Sequence, residues 1–192
     1  MRMTISIVFV MSLLFAQSSW AKKINFDFGF FNITAKPPAT SGSSARRGTL
    51  SLSGPGAYSL SGSVAVLPSV ELGAGYTIFY SDFIAGDMGF GPDFFVSWFP
   101  LNEGSGTTVD AYDLKAFEIQ KFRPFVHASF HQRQFQSSDS AFSGFGIGGG
   151  LEMSLDANKS VRATLRSMSL VGSSQSTFDY MDVLIGFQFN FR

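Results

Sequence analysis

His127-Ala128-Ser129 sets an imidazole and a hydroxyl two residues apart. On a strand both would stand on one face, where a base can activate a nucleophile. His131 follows on the same face, but at roughly 3.3 Å per residue the two histidines are too far apart to share one metal ion easily, and neither metal nor cofactor is expected. Charge gathers on that same alternating face along the chain: Glu71, Asp93, Arg123, Arg133, Glu152, Arg162, Arg166 and Asp182 join His127 and His131. If the face is enclosed, these groups must pair, so the simplest chemistry is an interior network of ion pairs and hydrogen bonds. Glu152 sits next in sequence to the strand bearing Arg162 and Arg166, and is expected to be their acid.

The elements that would carry these residues have period two. In Met181 to Phe191 the odd positions Met181, Val183, Ile185, Phe187, Phe189 and Phe191 are apolar, against Asp182, Gly186, Gln188 and Asn190. Ile24 to Ala35 opens the same way, with Phe26, Phe28 and Phe30 opposite Asn25, Asp27 and Gly29. Between them the alternation predicts strands over Ala57–Leu67, Glu71–Ser81, Gly89–Phe99, Phe122–Phe135, Gly144–Leu155 and Ser160–Val171, which makes eight. Pro92 interrupts one ladder. Lys36 to about Pro55, with Pro37-Pro38, Ser41-Gly-Ser-Ser44 and Arg46-Arg47, has the composition of a long loop. Pro68-Ser69 and Asp156 to Lys159 are tight turns. Pro100 to Gln120 fits a short helix, an extension of the next strand or an extra hairpin, and a hairpin there would allow ten strands.

Met1 to Ala21 has one cation, Arg2, an apolar run from Ile5 to Ala16 and small residues before a cut after Ala21, the pattern of a secretory signal peptide. The mature chain would be 22–192, one domain. Taking Arg2 from 14 Lys+Arg leaves 13 cations against 14 anions, which argues against a nucleic-acid partner. An exported chain without cysteine has no disulfide and relies on packing and hydrogen bonds. A closed barrel satisfies that requirement by pairing every strand.

Eight alternating strands also suit a soluble sandwich, but its solvent face should carry long polar side chains. Here the second face carries Ser59, Ser61 and Ser63, and Gly144, Gly146, Gly148 and Gly150. Small residues suit a narrow barrel interior, where they leave room for large ones on neighbouring strands. The opposite face is an apolar band in which Tyr58, Tyr76, Tyr80 and Trp98 are expected near strand ends as interfacial girdles. The prediction is an all-β, eight-stranded, antiparallel, up-and-down transmembrane β-barrel, with ten strands as the alternative.

The aromatic closing strand resembles that of bacterial outer-membrane barrels. Phe122-Arg-Pro-Phe-Val-His-Ala-Ser129 is similar to the K-x-R-P-Y-V-G-A-G segment, and Gly144 to Arg166 to the G-x-G-G-G-L-E-Y…N-x-S-V-R-A segment, of the small OmpA/OmpX/OmpW-like barrels. The resemblance implies an outer-membrane location, contact with membrane lipid and lipopolysaccharide, recognition of the closing strand by the barrel-assembly machinery, and a monomer. It also implies a lumen closed by an internal ion-pair cluster, with a narrow solute pore as the other reading. His127-x-Ser129 resembles the H-x-S of eight-stranded lipid A deacylases. That family's following Asn is Phe130 here, no Asn-Pro-Gly segment follows, and the pair shares its face with Arg123, His131 and Arg133, pointing inward. The expectation is therefore a non-enzyme with a structural, adhesive or interaction role, the loop Lys36 to Pro55 being the longest surface for a partner.

Overall fold

The computed structural model describes residues 22–36, 50–67, 69–81, 87–101, 107–111, 114–118, 122–135, 141–156, 158–172 and 177–191. The expected signal peptide and the loop residues 37–49, including Arg46-Arg47, lie outside them. Ten strands follow in order: β1 (Lys22–Lys36), β2 (Leu50–Leu67), β3 (Val70–Ser81), β4 (Asp87–Trp98), β5 (Thr107–Ala111), β6 (Leu114–Glu118), β7 (Phe122–Phe135), β8 (Ala141–Ser154), β9 (Lys159–Gly172) and β10 (Thr177–Phe191). Eight of them close into one antiparallel barrel in the order β1-β10-β9-β8-β7-β4-β3-β2, with β1 also paired to β2. First and last strands meet in register, Lys22 opposite Phe191 and Lys36 opposite Thr177, so both described ends of the chain lie at one rim.

The segment left open between Pro100 and Gln120 contains a hairpin, β5 paired with β6, and it forms its own two-stranded sheet. The ten-strand barrel is thereby excluded: the extra strands exist, but they do not enter the wall. The loop expected to run to Pro55 is also corrected, because β2 begins at Leu50. Its early residues pair with β1 through a register shift beside Gly29 and Phe30, opposite Ala57 and Pro55. Gly56 takes up the extra position with φ +129°, a conformation open to glycine and costly for a side chain. This extension places Tyr58 well inside its strand, and Tyr76 lies midway along β3; only Tyr80 and Trp98 stand at strand ends as girdle residues would.

The expected alternation sorts the two faces. Outward residues form a continuous apolar surface, with Phe145 and Ile147 on β8 as much as 77% and 72% exposed. Such a wall has no place in water and suits hydrocarbon. Inward residues are buried, and the small ones accommodate rings from next-door strands. A Cβ on Gly73 would strike the Phe95 ring, one on Gly150 the Phe125 ring and one on Gly89 the Phe79 ring. Of the expected turns, Pro68 and Ala157 lie outside the described residues; at the second, Asn158 N–H donates to Asp156 Oδ1 at 2.7 Å, while Ser69 O accepts from Phe99 N–H at 2.8 Å beyond the end of β4.

Candidate functional site

All ten charged and histidine residues singled out in the sequence are buried inside the barrel: Glu71, Asp93, Arg123, His127, His131, Arg133, Glu152, Arg162, Arg166 and Asp182. Eight of them are brought together in two groups, and the other two, His127 and Arg162, meet through Ser97 Oγ. Near the rim that holds the chain ends, Arg123 Nη1 donates to Glu152 Oε1 at 3.1 Å and Arg123 Nη2 lies 3.9 Å from Glu71 Oε1. Lys23, which the sequence reading did not select, completes this group: its Nζ is 2.6 Å from Glu71 Oε1 and 3.3 Å from Glu152 Oε2. Phe99 packs against the cluster with the Arg123 guanidinium 4.2 Å from its ring centroid, a cation–π contact.

Deeper in the lumen, Asp93 is the hub. Its carboxylate accepts from the Thr77 hydroxyl, from His131 Nδ1 at 2.6 Å, from Arg133 at 2.6 Å and from Arg166 at 3.4 Å. Arg166 reaches across to β10, where Nε and Nη2 meet the two oxygens of Asp182 at 2.9 and 2.5 Å, the forked geometry that suits a guanidinium. The acid expected for Arg166 was Glu152, and the structure corrects that pairing. Cross-strand register puts Asp182 opposite Arg166, and Gly148 rather than Glu152 on its other side. Glu152 is opposite Arg162, but its hydrogen bonds go to Arg123 and Lys23. Arg162 instead lies over the Phe125 ring, 3.9 Å from its centroid, and donates to Ser97 Oγ at 3.2 Å.

Arg133 also answers a backbone defect foreshadowed by Pro92. The β4–β7 ladder skips Gly91 and Pro92, and the Arg133 guanidinium bonds to the carbonyls freed there: Gly91 O at 3.4 Å, Pro92 O at 3.5 Å and Gln132 O at 2.8 Å. A buried carbonyl without a donor is costly, so one side chain here neutralises a carboxylate and repairs a ladder.

The His127–Ser129 pair read from the sequence does not form. His127 Nδ1 shares a 3.2 Å hydrogen bond with Ser97 Oγ. Ser129 Oγ instead donates to His131 Nε2 at 2.6 Å, and His131 Nδ1 bonds Asp93, giving the hydroxyl–imidazole–carboxylate order of a hydrolytic triad. A nucleophile also needs space for a reacting carbonyl about 3 Å away. Ser129 is 6% exposed and His131 fully buried, and a Cβ on the adjoining Gly146 would already stand 3.1 Å from His131 Nε2. The triad order here lies enclosed in the barrel interior.

Beside this network lies a polar cavity of about 20 Å³, lined by Asn25, Asp27, His127, Arg162, Thr164 and Arg166 among others. Asn25 Oδ1, Asp27 Oδ1 and His127 Nε2 have no protein partner. Counting Lys23 and Asp27, the lumen holds five cations (Lys23, Arg123, Arg133, Arg162, Arg166) and five carboxylates (Asp27, Glu71, Asp93, Glu152, Asp182) among the described residues.

No family model and no curated protein matches the chain. Solved structures do. Neisserial surface protein A superposes with a TM-score of 0.59 at 12% identity, covering 89% of this chain and 99% of that one. The chain has the fold of the small eight-stranded outer-membrane barrels. The outer membrane protein OprG of Pseudomonas aeruginosa matches with a TM-score of 0.54 at 12% identity over 90% and 97% of the two chains. The outer membrane protein AlkL matches at 0.51 and 11% over 92% and 94%. Identities this low carry the barrel and nothing about its ligands.

Proposed function

We propose that this protein is an integral outer-membrane barrel whose lumen is closed by its own side chains, and that its role is structural or interactive, not catalytic. The observation that carries this reading is the paired interior network: four cations (Lys23, Arg123, Arg133, Arg166) matched by four carboxylates (Glu71, Asp93, Glu152, Asp182) and packed among small residues, with Asp93 and Glu152 each holding more than one cation. Groups so deeply buried are tolerated when they saturate one another, which a conducting lumen does not require. The apolar outward face supports embedding in lipid, and the aromatic odd positions of β10 are where the barrel-assembly machinery would engage the chain. Lipopolysaccharide and phospholipid are then the immediate partners, the protein acts as a monomer, and adhesion or partner binding falls to the connections between strands.

The filled space around Ser129 supports the non-catalytic reading. A narrow solute path is the second reading, favoured by the cavity beside Asp27 and Arg162. A heat-modifiability gel on cell-envelope fractions tests the assignment. A mobility shift between unheated and boiled samples, in the outer-membrane fraction, is the expected result. A single unshifted band in the soluble periplasm would overturn it.

A further inference from the structure

Along three strands the inward residues change character in the same order. On β1, Lys23 gives way to Asn25 and Asp27 and then to Phe31 and Ile33. On β9, Ser160 gives way to Arg162, Thr164 and Arg166 and then to Met168 and Leu170. On β2, running the other way, Ser63 is followed by Ser61 and Ser59 and then by Ala57. The lumen is therefore layered.

Its floor, at the rim of the chain ends, is the Lys23–Glu71–Arg123–Glu152 cluster backed by Phe99. Its roof is apolar. Phe31, Phe79 and Tyr180 contact one another at centroid distances of 5.4 to 6.4 Å, Phe135 meets Phe79 at 5.6 Å, and Phe178 meets Phe142 at 4.3 Å. Leu184, which lines the cavity and also belongs to the apolar cluster, marks the boundary between the layers.

The middle layer is built to hold water. Arg162 donates to Ser97 Oγ, which also shares a hydrogen bond with His127 Nδ1, and His127 Nε2 is left without a protein partner; when the Ser97 proton goes to Nδ1, the ring proton stands on Nε2 as a free donor. Asn25 Oδ1 and Asp27 Oδ1 are acceptors without partners on the same cavity wall. One water accepting from the first and donating to the other two makes about three hydrogen bonds, the usual number for a buried water, and the cavity of about 20 Å³ exceeds the ~10–15 Å³ that one needs. Among the described residues Arg162 has no carboxylate in ion-pair contact, and Asp27, on the same cavity wall, is the carboxylate left to balance its charge.

We propose that the lumen is a hydrated chamber closed twice, by an ionic floor at the rim of the chain ends and by an aromatic roof at the other end. The inference rests on the closed-lumen reading and adds that either closure alone blocks passage. The floor stops solutes by charge pairing; the roof offers an ion only aromatic faces and the Tyr180 hydroxyl, too little to replace its hydration shell.

The chain contains no cysteine, so Thr164→Cys places a single thiol on the chamber wall. In the refolded full barrel this thiol is expected to resist a small cationic methanethiosulfonate. Combining it with Phe79→Ala and Phe135→Ala opens the roof, and combining it with Lys23→Ala, Glu71→Ala, Arg123→Ala and Glu152→Ala opens the floor without leaving an unpaired charge. Each is expected to react faster by on the order of a hundredfold, as local opening governs access. Neither set alone is expected to give conductance steps in a planar bilayer. Should the first roof pair yield no heat-shifting barrel, Phe31→Ala with Phe142→Ala opens the same layer. Continued protection after opening the roof, or steady conductance with only one closure removed, overturns the double closure. Rapid labelling of Thr164→Cys with both closures intact would instead refute the closed lumen itself.

Discussion

Replacing Asp93 with alanine removes the anion that four side chains share. Arg166 keeps Asp182 at 2.5 Å and is still neutralised. Arg133 keeps the carbonyls of Gly91, Pro92 and Gln132 but loses the carboxylate at 2.6 Å and becomes an uncompensated buried cation. Stranding one charge in this way costs about 3–5 kcal/mol. The hydrogen bonds from Thr77 and His131 add about 1 kcal/mol each, so a total of about 5–7 kcal/mol is expected. Glu71→Ala is the matched control, because Lys23 and Arg123 both retain Glu152, and it should cost only about 1–3 kcal/mol. Equilibrium urea unfolding in phospholipid vesicles, followed by tryptophan fluorescence, measures both. Adding Arg133→Leu to Asp93→Ala should recover about 2 kcal/mol, the cost of the stranded cation less that of the carbonyls of Gly91, Pro92 and Gln132 losing their donor. An Asp93→Ala barrel within about 1 kcal/mol of the parent, with no coupling to Arg133, would refute the hub role.

Arg166→Ala strands Asp182 and weakens Asp93, whereas Arg162→Ala removes a Ser97 contact and a ring contact; by unfolding free energy the first should exceed the second by about 2 kcal/mol. Ile185→Arg puts a cation midway along the outward face of β10 and is expected to destabilise the barrel in vesicles by about 2–4 kcal/mol. The same unfolding titration should show Gly150→Val costing about 3 kcal/mol, because its Cβ alone would collide with the Ala163 carbonyl oxygen and the Phe125 ring.

The eight barrel strands were legible because one face is apolar and the other small or polar along each of them, and period two leaves little choice. The same parity placed His127, Arg133 and Asp182 inside. It could also have placed Lys23 and Asp27, which alternate with Ile24 and Phe26 on β1, but Lys23 sits beside the cleavage site and reads as a terminus. Pairing was not legible. Whether Glu152 meets Arg162 or Arg123 depends on barrel closure and side-chain reach, which strand order alone does not supply. The aromatic roof left a faint signal: Phe30-Phe31 and Phe79-Tyr80 put apolar side chains on both faces at once, which a strand does only where both faces are dry. The β5–β6 hairpin was obscured because five-residue strands show too little alternation to separate them from a loop.

Purified, refolded protein inserted into a planar lipid bilayer tests the closed lumen most directly. The paired interior calls for a silent baseline under applied voltage, with insertion verified by the heat-dependent mobility shift. Regular, long-lived conductance steps from the unmodified chain would contradict it, because ions would then be passing through space that the Asp93 and Glu152 networks fill.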